Sequence, residues 1–252
     1  MTQSPAERIQ KRLAQAGVGS RRQIEQWIRD GRIKVNGRTA TLGDRIGAGD
    51  RVRLDGREVV LDKDKAPKTR VLAYYKPVGE VCSRSDEKGR RTVFDSLPRI
   101  RQGRWINIGR LDLNSIGLLL FTNNGELAHR LMHPSRGIER EYAVRVLGEA
   151  TPEQLQRLRQ GVKLDDGVAR FTDIVDSGGK GSNHWYHVVI MEGKNREVRR
   201  LWESQGLAVS RLMRVRYGSY IMPRRKKAGE VWDLDDKEIQ ALLEEAGLKN
   251  EA

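Results

Sequence analysis

The sequence predicts an α+β protein in two parts: a small helix-rich N-terminal module over residues 1–62 and a larger domain over residues 71–252. Three observations carry this. The first sixty residues hold two short helical stripes followed by strand-like runs, residues 61–70 are polar and aperiodic, and from Val71 onward strand-length apolar runs alternate with amphipathic segments. A chain of 252 residues with 37% hydrophobic side chains has enough apolar material for packed cores.

Each element has its own signal. Ile9, Leu13 and Ala16 form a stripe that stops at Gly17, and Ser20-Arg21-Arg22-Gln23 reads as a capping box opening a second helix with Ile24, Trp27 and Ile28 inward. Gly31 ends that helix. Ile33-Lys34-Val35 then enters an Asn36-Gly37 turn, and Arg51-Val52-Arg53-Leu54 alternates before Asp55-Gly56. Residues 63–70 read as a linker. Val71 to Tyr75 is a strand, followed by the turn-forming Lys76-Pro77-Val78-Gly79. Trp105 to Ile108 and Leu118 to Phe121 are short strands enclosing a polar loop that contains Asp112. Asn123-Asn124-Gly125 signals a turn, and Leu127, Leu131 and Met132 mark a helix closed by Pro134.

Farther along, Glu139 to Val146 reads as a strand, and Thr151-Pro152-Glu153-Gln154 caps a helix that buries Leu155 and Leu158. Val168 to Val175 is strand-like, Ser177 to Asn183 a loop, and His184 to Met191 a strand. A helix beginning at Asn195 turns Val198, Leu201 and Trp202 inward. Val231 to Leu234 and a last helix carrying Ile239, Leu242, Leu243 and Ala246 complete the chain.

A formal charge of +14, from 48 Lys plus Arg against 34 Asp plus Glu, points to a polyanionic partner, nucleic acid first. Lys11, Arg12, Arg21, Arg22, Arg29, Arg32 and Lys34 crowd the first two helices and the turn after them, and are expected on RNA. There is no long apolar span and the first residues are not a signal peptide, so a cytoplasmic protein without membrane contact is expected. Cys82 is the only cysteine, which excludes an internal disulfide or a cysteine-cluster zinc site and leaves it as a core filler. Neither Gly179-Lys180 nor Gly193-Lys194 is followed by Ser or Thr, so no phosphate loop is present. His129 and His133 lack the intervening acid of a metalloprotease motif, and no metal is expected.

Two stretches resemble known families. Residues 8–17, then Ser20-Arg21-Arg22 and Ile33-Lys34-Val35-Asn36-Gly37, are similar to the compact RNA-binding module named after a small-subunit ribosomal protein, whose second helix and following turn rest on structured RNA. Gly109-Arg110-Leu111-Asp112, with Gly117-Leu118-Leu119-Leu120-Phe121-Thr122 after it, resembles the central motif of the pseudouridine synthases that act on ribosomal RNA. Arg140-Glu141-Tyr142 resembles that family's second motif and residues 192–201 its third. Arg140 stands where many relatives have lysine, and Asn124 where an aspartate is common.

The resemblance implies a mixed, largely antiparallel sheet flanked by helices in residues 71–252. It assigns Asp112 as a nucleophile toward ribose or base, Tyr142 against the uracil, and Arg199 as the ionic partner of Asp112. Arg110, Arg140, Lys194, Arg196 and Arg200 are then expected on RNA, with no cofactor and a monomeric enzyme. The implied substrate is large-subunit ribosomal RNA or its assembly intermediate, because Leu72-Ala73-Tyr74-Tyr75-Lys76-Pro77 and Arg91-Thr92-Val93-Phe94-Asp95 resemble the large-subunit enzymes more closely. Small-subunit RNA is the alternative, and a non-catalytic RNA-binding or assembly protein is the reading from another class.

Overall fold

The computed structural model describes residues 6–47, 49–61, 68–100 and 103–248. The expected linker lies outside the described residues except for Lys68, Thr69 and Arg70. The chain divides into two compact units: Met1–Thr69 with Pro98–Trp105 and Asn123–Gly125, and Arg70–Leu97 with Ile106–Thr122 and Glu126–Ala252.

In the first unit, α1 (Ile9–Gln15) and α2 (Arg21–Arg29) pack over a four-stranded sheet. The Ser20 hydroxyl accepts the Gln23 N–H at 3.0 Å and the Gln23 side chain accepts the Ser20 N–H at 3.4 Å, so the capping box starts α2 as its residues require. The sheet comprises β1 (Ile33–Val35), β2 (Arg38–Thr39), β3 (Val52–Leu54) and β4 (Arg57–Val59) in the order β2-β1-β3-β4. Asn36 and Asp55 take left-handed φ of 49° and 50° ahead of Gly37 and Gly56, the conformation that suits two-residue hairpin turns. Ile9, Leu13, Ile24, Ile28, Ile33 and Val52 form the buried core.

A nine-stranded sheet spans the second unit among the described residues. Its strands are β5 (Val71–Lys76), β6 (Ile106–Ile108), β7 (Ile116–Thr122), β8 (Arg140–Leu147), β9 (Asp173–Lys180), β10 (Asn183–Ile190), β11 (Val209–Tyr217), β12 (Tyr220–Ile221) and β13 (Val231–Asp233). The order is β9-β10-β8-β11-β7-β5-β13, with β12 on β11 and β6 on β7; among the described strands of this sheet only β11 and β7 run parallel. The helices are α3 (Gly125–Met132), α4 (Pro152–Gln160), α5 (Glu197–Glu203) and α6 (Asp236–Glu245). Every residue of β7 is buried, as a continuous apolar run in a central strand demands. Leu127 and Leu131 of α3 and Ile239 and Leu242 of α6 pack on Val71, Ala73, Leu118 and Leu120.

The mixed, mostly antiparallel sheet agrees with the expected α+β class. Local details differ. The expected loop over residues 177–183 is instead mostly strand: β9 runs to Lys180 and β10 starts at Asn183. The glycines there make a bulge, with the register shifting between Asp176 and Gly179. A Cβ on Gly179 would lie 2.2 Å from the Asn183 oxygen, so glycine permits the approach of the two strands. The strand-like run 168–175 is also divided, because Gly167–Ala169 pairs with Val162–Leu164 and β9 begins only at Asp173. β11, with no counterpart among the expected elements, is the strand that joins the two halves of the sheet.

One register row positions the site. Lys76 pairs with Gly117, Gly117 with Arg214, and Arg214 with Tyr142, so four neighbouring strands bring these residues to one level of the sheet. The loop over residues 109–115 enters β7 at this level.

Candidate active site

The loop carrying Asp112 is held by its backbone. Each carbonyl from Arg110 to Ser115 accepts a hydrogen bond. Arg214 Nη1 donates to Arg110 O at 3.4 Å and the Cys82 thiol to Leu111 O at 3.2 Å. Lys76 Nζ donates to Asp112 O at 3.1 Å and Ser115 O at 3.0 Å, the Gly79 N–H to Leu113 O at 2.9 Å, and Arg199 Nη2 to Asn114 O at 3.0 Å. The Ser115 N–H closes a turn onto Asp112 O at 3.0 Å. Six consecutive acceptors are thus satisfied by five residues from three other segments of the chain, which leaves the loop little freedom to take another path.

Three of the donors are cations with little solvent access. Lys76 is fully buried and spends its third donor on Pro77 O at 2.9 Å. Burial pushes its ammonium below the ordinary lysine range, while Cys82, Glu80 and Asp112 pull the other way. Arg214 is 1% exposed; its Nε donates to Leu118 O at 2.8 Å and its guanidinium lies 5.1 Å from the centre of the Tyr217 ring. Arg199, from α5, is 8% exposed and donates from Nη1 to Val209 O at 3.0 Å. Burial and Arg196 lower its affinity for the proton, whereas Asp112 raises it.

Asp112 itself is half-buried, and its carboxylate has no hydrogen bond or ion pair among the described residues. The resemblance pairs it with Arg199. In this structure Arg199 is close enough to feel its charge but directs its fork to two backbone carbonyls. Cys82, read as a core filler, is half-buried and also accepts the Leu111 N–H at 3.4 Å, clamping the residue before Asp112 from both sides. Burial pushes the thiol up, which keeps it protonated and able to donate.

Tyr142 is 7% exposed and sits opposite Arg214 in the register. Facing residues in a sheet share a side, so Tyr142 stands on the side from which Arg214 reaches under the Asp112 loop. Arg110 is exposed beside that loop without a side-chain partner among the described residues.

The remaining cations expected on RNA separate into free and engaged groups. Arg21, Arg22, Arg29 and Lys34 are exposed and unpaired among the described residues. Lys11 and Arg12 approach Glu7 at 2.6 and 4.0 Å, and Arg32 Nε donates to Asp55 at 2.8 Å. Arg200 forks onto Asp166 at 2.8 Å, Arg196 faces Glu203 at 3.5 Å, and Lys194 is held by Glu192 and Val168 O, each at 2.7 Å. Arg140 takes an inward place: it is 8% exposed and donates to Met191 O, Glu192 O and the Tyr217 hydroxyl, which itself donates to Leu131 O. A guanidinium so engaged is part of the packing and is withdrawn from phosphate.

Lys76 and Arg214 were not among the expected site residues, and Lys76 gives a direct test. Replacing it by Met leaves three carbonyls without their charged donor; hydrogen bonds to charged groups contribute about 1.5–3 kcal/mol each, not additively. Lys76→Met is expected to lower unfolding stability by about 2–4 kcal/mol and to slow turnover at saturating RNA. Equilibrium denaturation and single-turnover assays check this; wild-type values in both would show that the cradle is dispensable.

A partly exposed carboxylate on a rigid loop, with cations around it and a tyrosine on the same side of the sheet, defines a site suited to nucleophilic attack on an electron-poor carbon. The family model for RNA pseudouridylate synthase matches residues 70–204, and that for the S4 domain matches residues 7–52. The chain belongs to the RNA pseudouridylate synthase family.

It is 57% identical over 244 residues to Ribosomal large subunit pseudouridine synthase B of Pseudomonas aeruginosa, an alignment covering 96% of this chain and 63% of that relative's length. It is 55% identical over 247 residues to the protein of the same name from Vibrio cholerae, covering 98% of this chain and 77% of the relative. A solved crystal structure of a pseudouridylate synthase shares the fold with a TM-score of 0.65 at 23% identity, over 93% of this chain and 99% of that one.

Proposed function

We propose that this protein isomerises a uridine of large-subunit ribosomal RNA to pseudouridine, with Asp112 as nucleophile. The observation that carries this reading is the carboxylate of Asp112, without a hydrogen bond or ion pair among the described residues, on a loop whose carbonyls are all engaged. The names of the 57% and 55% identical relatives support the large subunit as target, and the N-terminal S4 match supports structured RNA. The target uridine leaves its stack to reach Asp112, at a cost of roughly a few kcal/mol that phosphate contacts and stacking offset.

Asp112 attacks either ribose C1′ or the base. Both routes break the N1–C1′ bond, turn the uracil and form a C5–C1′ bond, while C5 loses a proton and N1 gains one. No electrons are exchanged with an outside partner. Tyr142 packs against the uracil and helps remove the C5 proton. Arg199 supplies charge near the carboxylate while holding Asn114. The exposed cations Arg21, Arg22, Arg29 and Lys34 contact RNA phosphates through the first unit. The enzyme acts as a cytoplasmic monomer, on the free RNA or on an assembly intermediate. Among the described residues no helix is long and apolar enough to cross a membrane.

The purified protein, incubated with large-subunit and small-subunit ribosomal RNA transcripts in parallel, is expected to place pseudouridine in the large-subunit RNA alone. Modification confined to the small-subunit transcript would overturn the substrate, and none in either transcript or in large-subunit assembly intermediates would overturn the reaction.

A further inference from the structure

The connector between β12 and β13 carries Arg224-Arg225-Lys226-Lys227, four consecutive cations that the reaction does not use. β12 lies on β11, whereas β13 lies on the far edge of β5, and the sheet runs β11-β7-β5-β13. The connector therefore crosses the ends of β7 and β5. These are the ends at which Lys76 pairs with Gly117 and the Asp112 loop enters the sheet. The Gly229 N–H donates to Tyr75 O at 2.8 Å and the Tyr75 N–H to Glu230 O at 3.0 Å, so the connector is fastened one residue from Lys76.

The turn is built. The Lys226 N–H closes onto Pro223 O at 3.1 Å and the Glu230 N–H onto Lys227 O at 3.1 Å. Trp232 Nε1 donates to the Tyr220 hydroxyl at 2.7 Å, tying the strand before the turn to the strand after it, and Met222 is buried in the core. Lys226 folds back, 3.6 Å from Glu230 and 4.6 Å from the centre of the Trp232 ring. Arg224, Arg225 and Lys227 are exposed and have no ion pair or hydrogen bond from their side chains among the described residues.

A solvated charge run is the ordinary explanation of exposed cations. Elsewhere in the same unit, however, several arginines face carboxylates: Arg70 meets Asp233, Arg90 meets Asp86, Arg91 meets Glu80, Arg200 meets Asp166, and Arg216 meets Glu139 and Glu141. Three unmatched cations crowded into one fastened turn repel each other, and a polyanion relieves that repulsion. We infer that Arg224, Arg225 and Lys227 form a phosphate clamp at the active-site end of the sheet, taking the phosphodiester backbone of the RNA whose uridine reaches Asp112. This rests on the proposed reaction. Contacts of this kind fix the position of an RNA without reading its bases.

The test uses the full chain with Arg224, Arg225 and Lys227 all changed to Gln, beside a charge-retaining Arg224→Lys, Arg225→Lys variant. Losing three phosphate contacts is expected to reduce the slope of log affinity against log salt by about 2–3, and to weaken binding of large-subunit RNA fragments roughly tenfold near physiological salt. The rate of pseudouridine formation at saturating RNA stays within about twofold of wild type, and the lysine variant keeps most of the affinity and slope. Unchanged affinity and slope in the neutral variant would overturn the clamp, as would a collapse of the saturated rate at unchanged slope. If the wild-type protein forms no pseudouridine in the same samples, the proposed reaction fails instead, so the two failures are distinguishable.

Discussion

Asp112→Asn is expected to abolish pseudouridine formation, by roughly a thousandfold or more, while leaving RNA affinity within a factor of about three. The separation of the two effects follows from how the loop is held. All the loop's anchors are to backbone carbonyls and to the Leu111 N–H, so an isosteric change in a side chain that takes no part in them leaves the path of the chain intact. The amide is not a competent nucleophile, and it removes the one carboxylate whose charge both Lys76 and Arg199 experience from this loop. Quantifying pseudouridine in the RNA and measuring binding by filter retention reads the two quantities apart. Sustained modification by the variant would remove Asp112 from the chemistry.

A large effect on stability is expected at Gly117. Its φ of +105° belongs to a region that other residues rarely enter, and a Cβ there would lie 2.3 Å from Arg214 O, 2.8 Å from Arg214 N and 3.0 Å from Met213 Cγ. Two of those atoms are backbone and have nowhere to go. They belong to the only parallel pair in the sheet among the described residues, so a side chain at Gly117 pushes β7 away from β11. Gly117→Ala is expected to cost about 2–4 kcal/mol in unfolding free energy and to reduce turnover, because Lys76 and Arg214 anchor the Asp112 loop from this row. Denaturant titration with a single-turnover assay checks both. A variant within about 0.5 kcal/mol of wild type would show that the two strands are not so closely packed.

Much of this architecture is legible from local pattern. The two apolar runs around Asp112, the capping boxes at Ser20 and Thr151, and the Asn36-Gly37 and Asp55-Gly56 turns all mark elements that the structure contains, because each depends on residues within a few positions of one another. β11 is hidden for a physical reason. Arg211, Arg214 and Arg216 interrupt its apolar residues, and a shift in register between Glu141 and Tyr142 breaks the alternation that a regular strand would show.

The anchors of the loop are hidden differently. A lysine at a strand end and an arginine within a charged run ordinarily read as solvated. Only pairing across 36 residues for Lys76 with Asp112, and 104 for Arg214 with Arg110, shows that their charge is turned inward. Arg140 illustrates the same limit in reverse: its charge suggests phosphate, while its three acceptors lie on the second unit's own backbone and on Tyr217.

The complete occupation of the loop's carbonyls has a kinetic meaning. A nucleophile on a flexible segment must be gathered into place after the substrate arrives, and that reorganisation adds to the barrier of each turnover. Here the gathering is done once, during folding. The conformational work that remains falls on the nucleic acid, which must unstack one base, so RNAs whose target uridine is already unstacked are expected to be processed fastest.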